Sequence, residues 1–193
     1  MIPAAGTPMN KGAESKVTTG PDLIHAQLQI TDIKLVSGLP DDWLVPLMAR
    51  IDRDPHIVQV RVARESEAVG VCAGAFFGGA PACALMGIAG LLASAHEFAL
   101  FNNAHQVPLF ILASRRGTIE DPRTYQVVQG LVGLPYLDAL QIPHMTIDRI
   151  DDLELIQAAY KRSRLVKRPM VCFLAKQVLF HGLAEYSAEY SGE

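Results

Sequence analysis

Arg64-Glu65-Ser66-Glu67 stands directly ahead of twelve uncharged residues, Ala68–Gly79. A carboxylate at the head of so apolar a run risks desolvation, which raises its pKa and suits it to carry a proton near neutral pH. A structural role competes with that reading, because helix amide dipoles favour acidic residues in a first turn. Arg115 and Arg116 form a second cluster. They are two donor forks able to hold a sulfonate, phosphonate or carboxylate, or else a solvated or interface patch. Asp41 and Asp42 precede an apolar-periodic stretch and suit N-capping. Six histidines, at 25, 56, 96, 105, 144 and 181, lie scattered, and none pairs with another or with a cysteine at metal-ligand spacing, so no metal site is expected. Cys72, Cys83 and Cys172 each sit in an apolar run and read as reduced core residues of a cytoplasmic protein.

These groups need elements to position them. Strands are expected over Lys34–Gly38, Ile57–Val62, Ala82–Met86, Pro108–Ala113, His144–Ile147 and Pro169–Ala175. Helices are expected over Trp43–Asp52, Glu65–Gly79, Gly90–Asn103, Arg123–Leu140 with a break near Gly130–Pro135, and Asp151–Val166. Strand–helix alternation repeated about six times, with wholly apolar strands, predicts an α/β fold: a three-layer, doubly wound, mostly parallel six-stranded sheet. Ligands on such sheets bind beyond the carboxyl ends of the strands. That rule selects four loops, Gly38–Asp42, Arg64–Glu67, Gly87–Gly90 and Ser114–Gly117.

The 193 residues have room for one ordinary domain. Residues 21–176 are assigned to it, with a mobile tail over 1–20 that lacks a secretory h-region, and a C-terminal tail or interface segment over 177–193. Half of the chain is hydrophobic, and its net charge of −3 provides no basic field for nucleic acid. Val69–Leu100 is apolar but repeatedly interrupted by glycine, which argues against a membrane span. The absence of both Gly-x-Gly-x-x-Gly and Gly-x-x-x-x-Gly-Lys argues against a nucleotide-binding fold.

Glu65-Ser66-Glu67-Ala68-Val69-Gly70-Val71-Cys72-Ala73-Gly74 resembles the glutamate motif of thiamine-diphosphate enzymes, in which a glutamate precedes an Ala-rich helix and a glycine follows nine positions later. Three further segments match sulfopyruvate and phosphonopyruvate decarboxylases in the same order: Val36–Trp43, Pro108–Gly117 and Gln126–Pro143. The resemblance runs from about Ile24 to about Lys176 and is to the pyrimidine-binding, or alpha, part of these enzymes. It implies that Glu65 hydrogen-bonds N1′ of the aminopyrimidine and so activates thiamine diphosphate, with Glu67 as the substitute if the register shifts by two. It also implies that Gly38, Pro40 and Gly90 lie against the cofactor, and that Asp41 or Asp42 serves as a second acid–base group.

The family's Gly-Asp-Gly motif and downstream Asn, which hold the diphosphate and Mg²⁺, are absent here. The resemblance therefore implies a separate beta subunit that carries them, and a hetero-oligomeric lyase. A second departure is the loop after the third strand, polar in those decarboxylases but Gly87-Ile88-Ala89-Gly90-Leu91-Leu92-Ala93 here. Side chains able to hydrogen-bond a small anionic 2-oxo acid are replaced by apolar ones, with Ile88 and Leu91 as possible substrate contacts, so a larger or more apolar 2-oxo acid than sulfopyruvate is expected. Carboligation or cleavage of a hydroxyketone, and a non-catalytic scaffold subunit, are the alternatives.

Overall fold

The computed structural model describes residues 18–119, 121 and 123–183. The tail assigned to 1–20 falls mainly outside them, as does the end of the segment 177–193. The first described element is a helix that the sequence reading did not assign: α1, Gly20–Ile30. A Thr19–Asp22 capping box with Pro21 in the first turn starts it, and Ile24, His25 and Leu28 form its buried face.

All six expected strands form: β1 Leu35–Gly38, β2 Val58–Arg61, β3 Ala82–Met86, β4 Leu109–Ser114, β5 His144–Ile147 and β6 Pro169–Leu174. They make one sheet in the order β2-β1-β3-β4-β6-β5, and every pairing is parallel. The central strands β4 and β6 are buried at every position, as their wholly apolar sequences require, whereas the edge strand β2 is partly exposed.

Helices cover both faces. On one, α1, α2 (Val45–Ile51), α6 (Leu155–Val166) and α7 (Lys176–Leu179) bury Leu28, Trp43, Leu47, Ile51, Ile156 and Val178 against the sheet. On the other, α3 (Glu65–Phe77), α4 (Ile88–Ala93), a π-helical segment (Glu97–Asn103) and α5 (Thr124–Ala139) enclose Val69, Leu91, Phe98, Ile111 and Leu137. The three cysteines are free and buried, and burial pushes the Cys72 and Cys172 thiols up to about 12. Among the described residues no helix is long and apolar enough to cross a membrane.

Two helix expectations are corrected. Gly90–Asn103 is not one helix: α4 ends at Ala93 and the chain resumes as the π-helical segment from Glu97. Nor does α5 break near Gly130–Pro135; it runs unbroken from Thr124 to Ala139. Its glycines serve close packing. A Cβ on Gly130 would lie 2.7 Å from Gly117 Cα, and one on Gly133 would lie 2.7 Å from Ile88 Cγ2. Pro135 is on the exposed face, where water can reach the carbonyl that its missing N–H leaves unpaired.

A buried polar contact ties α1 to the turn before β2. His25 Nε2 lies 2.8 Å from Asp54 Oδ2, which also accepts from Gln29 Nε2, while Asp54 Oδ1 accepts the His56 backbone N–H. The His56 amide leads in holding the Asp54 carboxyl down to about 2; burial opposes it, and Gln29 and His25 assist. A carboxyl depressed from 3.8 stabilises the fold above that pH, and the contribution is lost as pH falls from 3.8 towards 2. Asp54→Asn is therefore expected to destabilise the chain at neutral pH, with the gap from wild type narrowing below pH 4. Urea unfolding from pH 7 to pH 2 measures this, and a gap constant with pH would refute it.

Candidate active site

The chain leaves β1 to pair β2 on one side and β3 on the other, so the strand order turns at the β1–β3 junction. In open parallel sheets the crevice beyond this turning point takes the ligand. Two carboxyl groups meet there, against the first turn of α4. A Cβ on Gly90 would lie 2.5 Å from Glu65 Cγ and 2.9 Å from Glu65 Cδ. One on Gly87 would lie 2.7 Å from Asp41 Oδ2 and 3.6 Å from Ser114 Oγ. Glycine at both positions lets the two acids rest on the helix backbone.

Glu65 is half-buried at the head of α3, and its carboxylate makes no hydrogen bond or ion pair among the described residues. Glu67 differs: its Oε2 accepts the backbone N–H groups of Ala63 and Arg64 and caps α3. Of the two glutamates, only Glu65 is uncommitted.

Asp41 Oδ1 accepts the Trp43 backbone N–H at 3.1 Å, the capping role anticipated for this loop. Its carboxyl is also raised above the ordinary carboxylate range. Burial is the main cause, offset in part by the Ser114 hydroxyl and the Arg116 charge. Ser114 Oγ, itself buried, faces this carboxylate without completing a well-formed hydrogen bond. Asp42 instead pairs with Arg123, which also donates to Tyr125.

The two arginines diverge. Arg116 is 1% exposed and gives a bidentate fork to Asp121, Nε–Oδ2 2.7 Å and Nη2–Oδ1 3.1 Å. Burial alone would raise Asp121, but this pairing and the backbone N–H groups of Gly117 and Arg123 hold its carboxyl below the usual range. Arg115 donates to the Arg116 carbonyl and stacks near Phe173. It lines a cavity of about 280 Å³ with Thr118, Thr146 and Lys176, beyond β4, β6 and β5. The structure does not bring the pair together as one anion clamp.

Of the other expected residues, Gly38 is buried where a Cβ would lie 2.3 Å from Leu85 O, so glycine sets the β1–β3 spacing. Pro40 is exposed beside Met48 and Arg61. Ile88 and Leu91 are 1% and 0% exposed and belong to the core between sheet and helices. Gly87 and Ser114 fall in loops selected from the sequence without a role of their own, and Trp43 and Asp121 were given no place at the site. The one available signal was Asp121 itself, an acid five residues beyond Arg116 in a short loop.

No protein-family model matches the chain. Curated relatives do. Over 154 residues it is 25% identical to the sulfopyruvate decarboxylase subunit alpha of Methanococcus maripaludis, covering 79% of this chain and 92% of that one. Over 125 residues it is 30% identical to the subunit of the same name from Methanothermobacter thermautotrophicus, covering 65% and 76%. The chain belongs to the sulfopyruvate decarboxylase alpha-subunit family. Among solved structures, a 2-oxoglutarate:ferredoxin oxidoreductase from Magnetococcus marinus superposes with a TM-score of 0.62 over 84% of this chain and 29% of that one. At 15% identity this match speaks for the fold alone. Among the described residues no group of three His, Cys, Asp or Glu side chains could hold a metal ion.

Proposed function

We propose that this chain is the pyrimidine-binding subunit of a two-chain, thiamine-diphosphate-dependent 2-oxo acid decarboxylase, with Glu65 as the activating carboxylate. One observation carries the reading: at the turning point of the sheet, Glu65 presents a carboxylate with no hydrogen-bond or ion-pair partner among the described residues, seated on the bare backbone of Gly90. Such a group suits a ligand that offers a ring nitrogen.

When bound, thiamine diphosphate would supply a thiazolium able to take up the electrons of the breaking carbon–carbon bond. Glu65 would hold the proton at N1′ of the aminopyrimidine, and Gly90 would fix the height at which it does so. Asp41, desolvated on the same helical turn, is suited to carry a proton to or from substrate. Gly38 and Pro40 would line the β1 side of the ring.

The diphosphate and Mg²⁺ fall to a beta subunit with Gly-Asp-Gly and a downstream Asn. Support for such a partner lies in the outer surface of α3, the π-helical segment and α5. Phe77, Leu100, Val128 and Leu131 are 55–70% exposed there, more than a lone subunit needs to show. Along α3, Gly70 and Gly74 have nothing within 4 Å of an added Cβ, which leaves room for close approach.

The larger, apolar substrate was expected because the 87–93 loop lacks polar side chains, with Ile88 and Leu91 as possible substrate contacts. With both in the core, a small 2-oxo acid of the sulfopyruvate type fits better. Reconstitution with the partner retrieved by pull-down tests the whole reading. Carbon dioxide release from sulfopyruvate should depend on thiamine diphosphate and Mg²⁺ and exceed that from aromatic 2-oxo acids. Preference for the aromatic acids would restore the apolar alternative; no decarboxylation of any 2-oxo acid would leave a scaffold.

A further inference from the structure

We infer that Arg116 is a positioning residue for Asp41: clamped by Asp121 and stacked on Trp43, it fixes the acid-bearing loop against the first turn of α4 instead of binding substrate. The inference rests on the functional reading only in treating Asp41 as a proton carrier.

The chain of contacts is continuous. Asp121 Oδ2 accepts from Arg116 Nε and from the Gly117 N–H at 3.1 Å, while Oδ1 accepts from Arg116 Nη2 and from the Arg123 N–H at 3.3 Å. The acid is thus pinned to its own loop and the guanidinium to the acid. Arg116 Cζ lies 4.2 Å from the centroid of the Trp43 ring, which in turn meets Phe180 edge-on at 6.1 Å. A desolvated guanidinium over an indole face is a strong contact, and it holds the ring in one place. The backbone N–H of that same tryptophan donates to Asp41 Oδ1. A shift of the guanidinium would therefore move Trp43, and with it the acceptor it anchors.

Arg116 also acts through its charge. The charged groups bearing on Asp41 are Arg116, which favours the ionised form, and Asp42, which disfavours it; the Ser114 hydroxyl and Gly87 complete its surroundings. Asp121 neutralises part of the Arg116 charge. One donor nitrogen remains: Nη1 is buried without a hydrogen-bond partner among the described residues.

The two charges make opposite predictions for Asp41, readable from its side-chain carboxyl carbon by NMR on the full chain, without cofactor or partner. Asp121→Asn strips the counter-charge from Arg116, so the Asp41 midpoint should fall, by about half a pH unit or more. Arg116→Met with Asp121→Asn removes the pair together, leaves neither charge orphaned, and should raise the midpoint by about one unit, a tenfold gain in proton affinity. A purely structural clamp would not reverse the sign. An unmoved midpoint in both folded variants, or movement in the same direction, overturns the inference. If the double variant does not fold, Asp121→Asn decides alone, by falling or not. Loss of the functional reading would show elsewhere, as cofactor-independent turnover or a fully active Glu65→Gln, and would leave these titrations unchanged.

Discussion

Replacing Glu65 with glutamine is expected to lower turnover of the reconstituted enzyme by about a hundredfold or more, the scale of losing a positioned proton-transfer group. Assembly and melting temperature should hardly change. The amide has the same shape, can rest on Gly90 as the carboxylate does, and gives up no hydrogen bond or ion pair among the described residues. What it cannot do is hold the proton at N1′ as an acid does. Glu67→Gln provides the contrast: its carboxylate caps α3 through the Ala63 and Arg64 amides, so a cost of about 1 kcal/mol in stability with turnover retained is the expected outcome. Steady-state rates paired with thermal melts of the complex separate the two glutamates. Undiminished turnover in Glu65→Gln would remove the basis of the proposed chemistry, and a loss in Glu67→Gln instead would move the motif by two residues.

Arg116→Met is expected to have the largest effect on stability. Arg116 and Asp121 side chains are 1% and 0% exposed, so solvent screens their attraction very little. Removing one partner of a buried pair leaves the other charge dehydrated and uncompensated, at a cost of about 3–5 kcal/mol. For a chain of this size that corresponds to a drop in melting temperature on the order of 10 °C. The Trp43 stacking contact is lost as well. Restoring neutrality with Asp121→Asn should recover part of the loss, because the amide needs no counter-ion. Differential scanning calorimetry of the two variants checks this. A single variant within about 1 kcal/mol of wild type, or a double variant less stable than the single, would show that the pair is not the strut described here.

The sheet was legible because its strands are runs of apolar, often β-branched residues separated by periodic segments; β3 and β5 begin and end at the expected residues. Glu65 drew attention through its spacing to Gly74 and the uncharged run from Ala68, and the fold sets it beside Gly90. Arg115 and Arg116 were read together, as anion-binding donors or a solvated patch, whereas Arg116 is buried against Asp121 and Arg115 lines a separate cavity. What separates them is Asp121, five residues on, which draws the Arg116 guanidinium inward. The glycines of α5 were read as breakers because sequence shows that a side chain is missing, not which backbone needs the space; the partners, Gly117 and Ile88, are distant along the chain. Helix α1 was missed although its Thr-x-x-Asp start was in plain view. No sequence pattern announces that Trp43 carries a buried cation on its ring, since that contact joins the β1 and β4 loops.

Gly87, the N-cap of α4, and Gly90, in its first turn, sit three residues apart. Each leaves a hydrogen where a methyl would collide with an acid, so the helix works as a ruler with two blank marks. One short stretch of backbone at the head of α4 thus fixes where both carboxyl groups rest. Loops that yield when a neighbouring subunit docks would then displace both acids as one body and leave their mutual spacing intact.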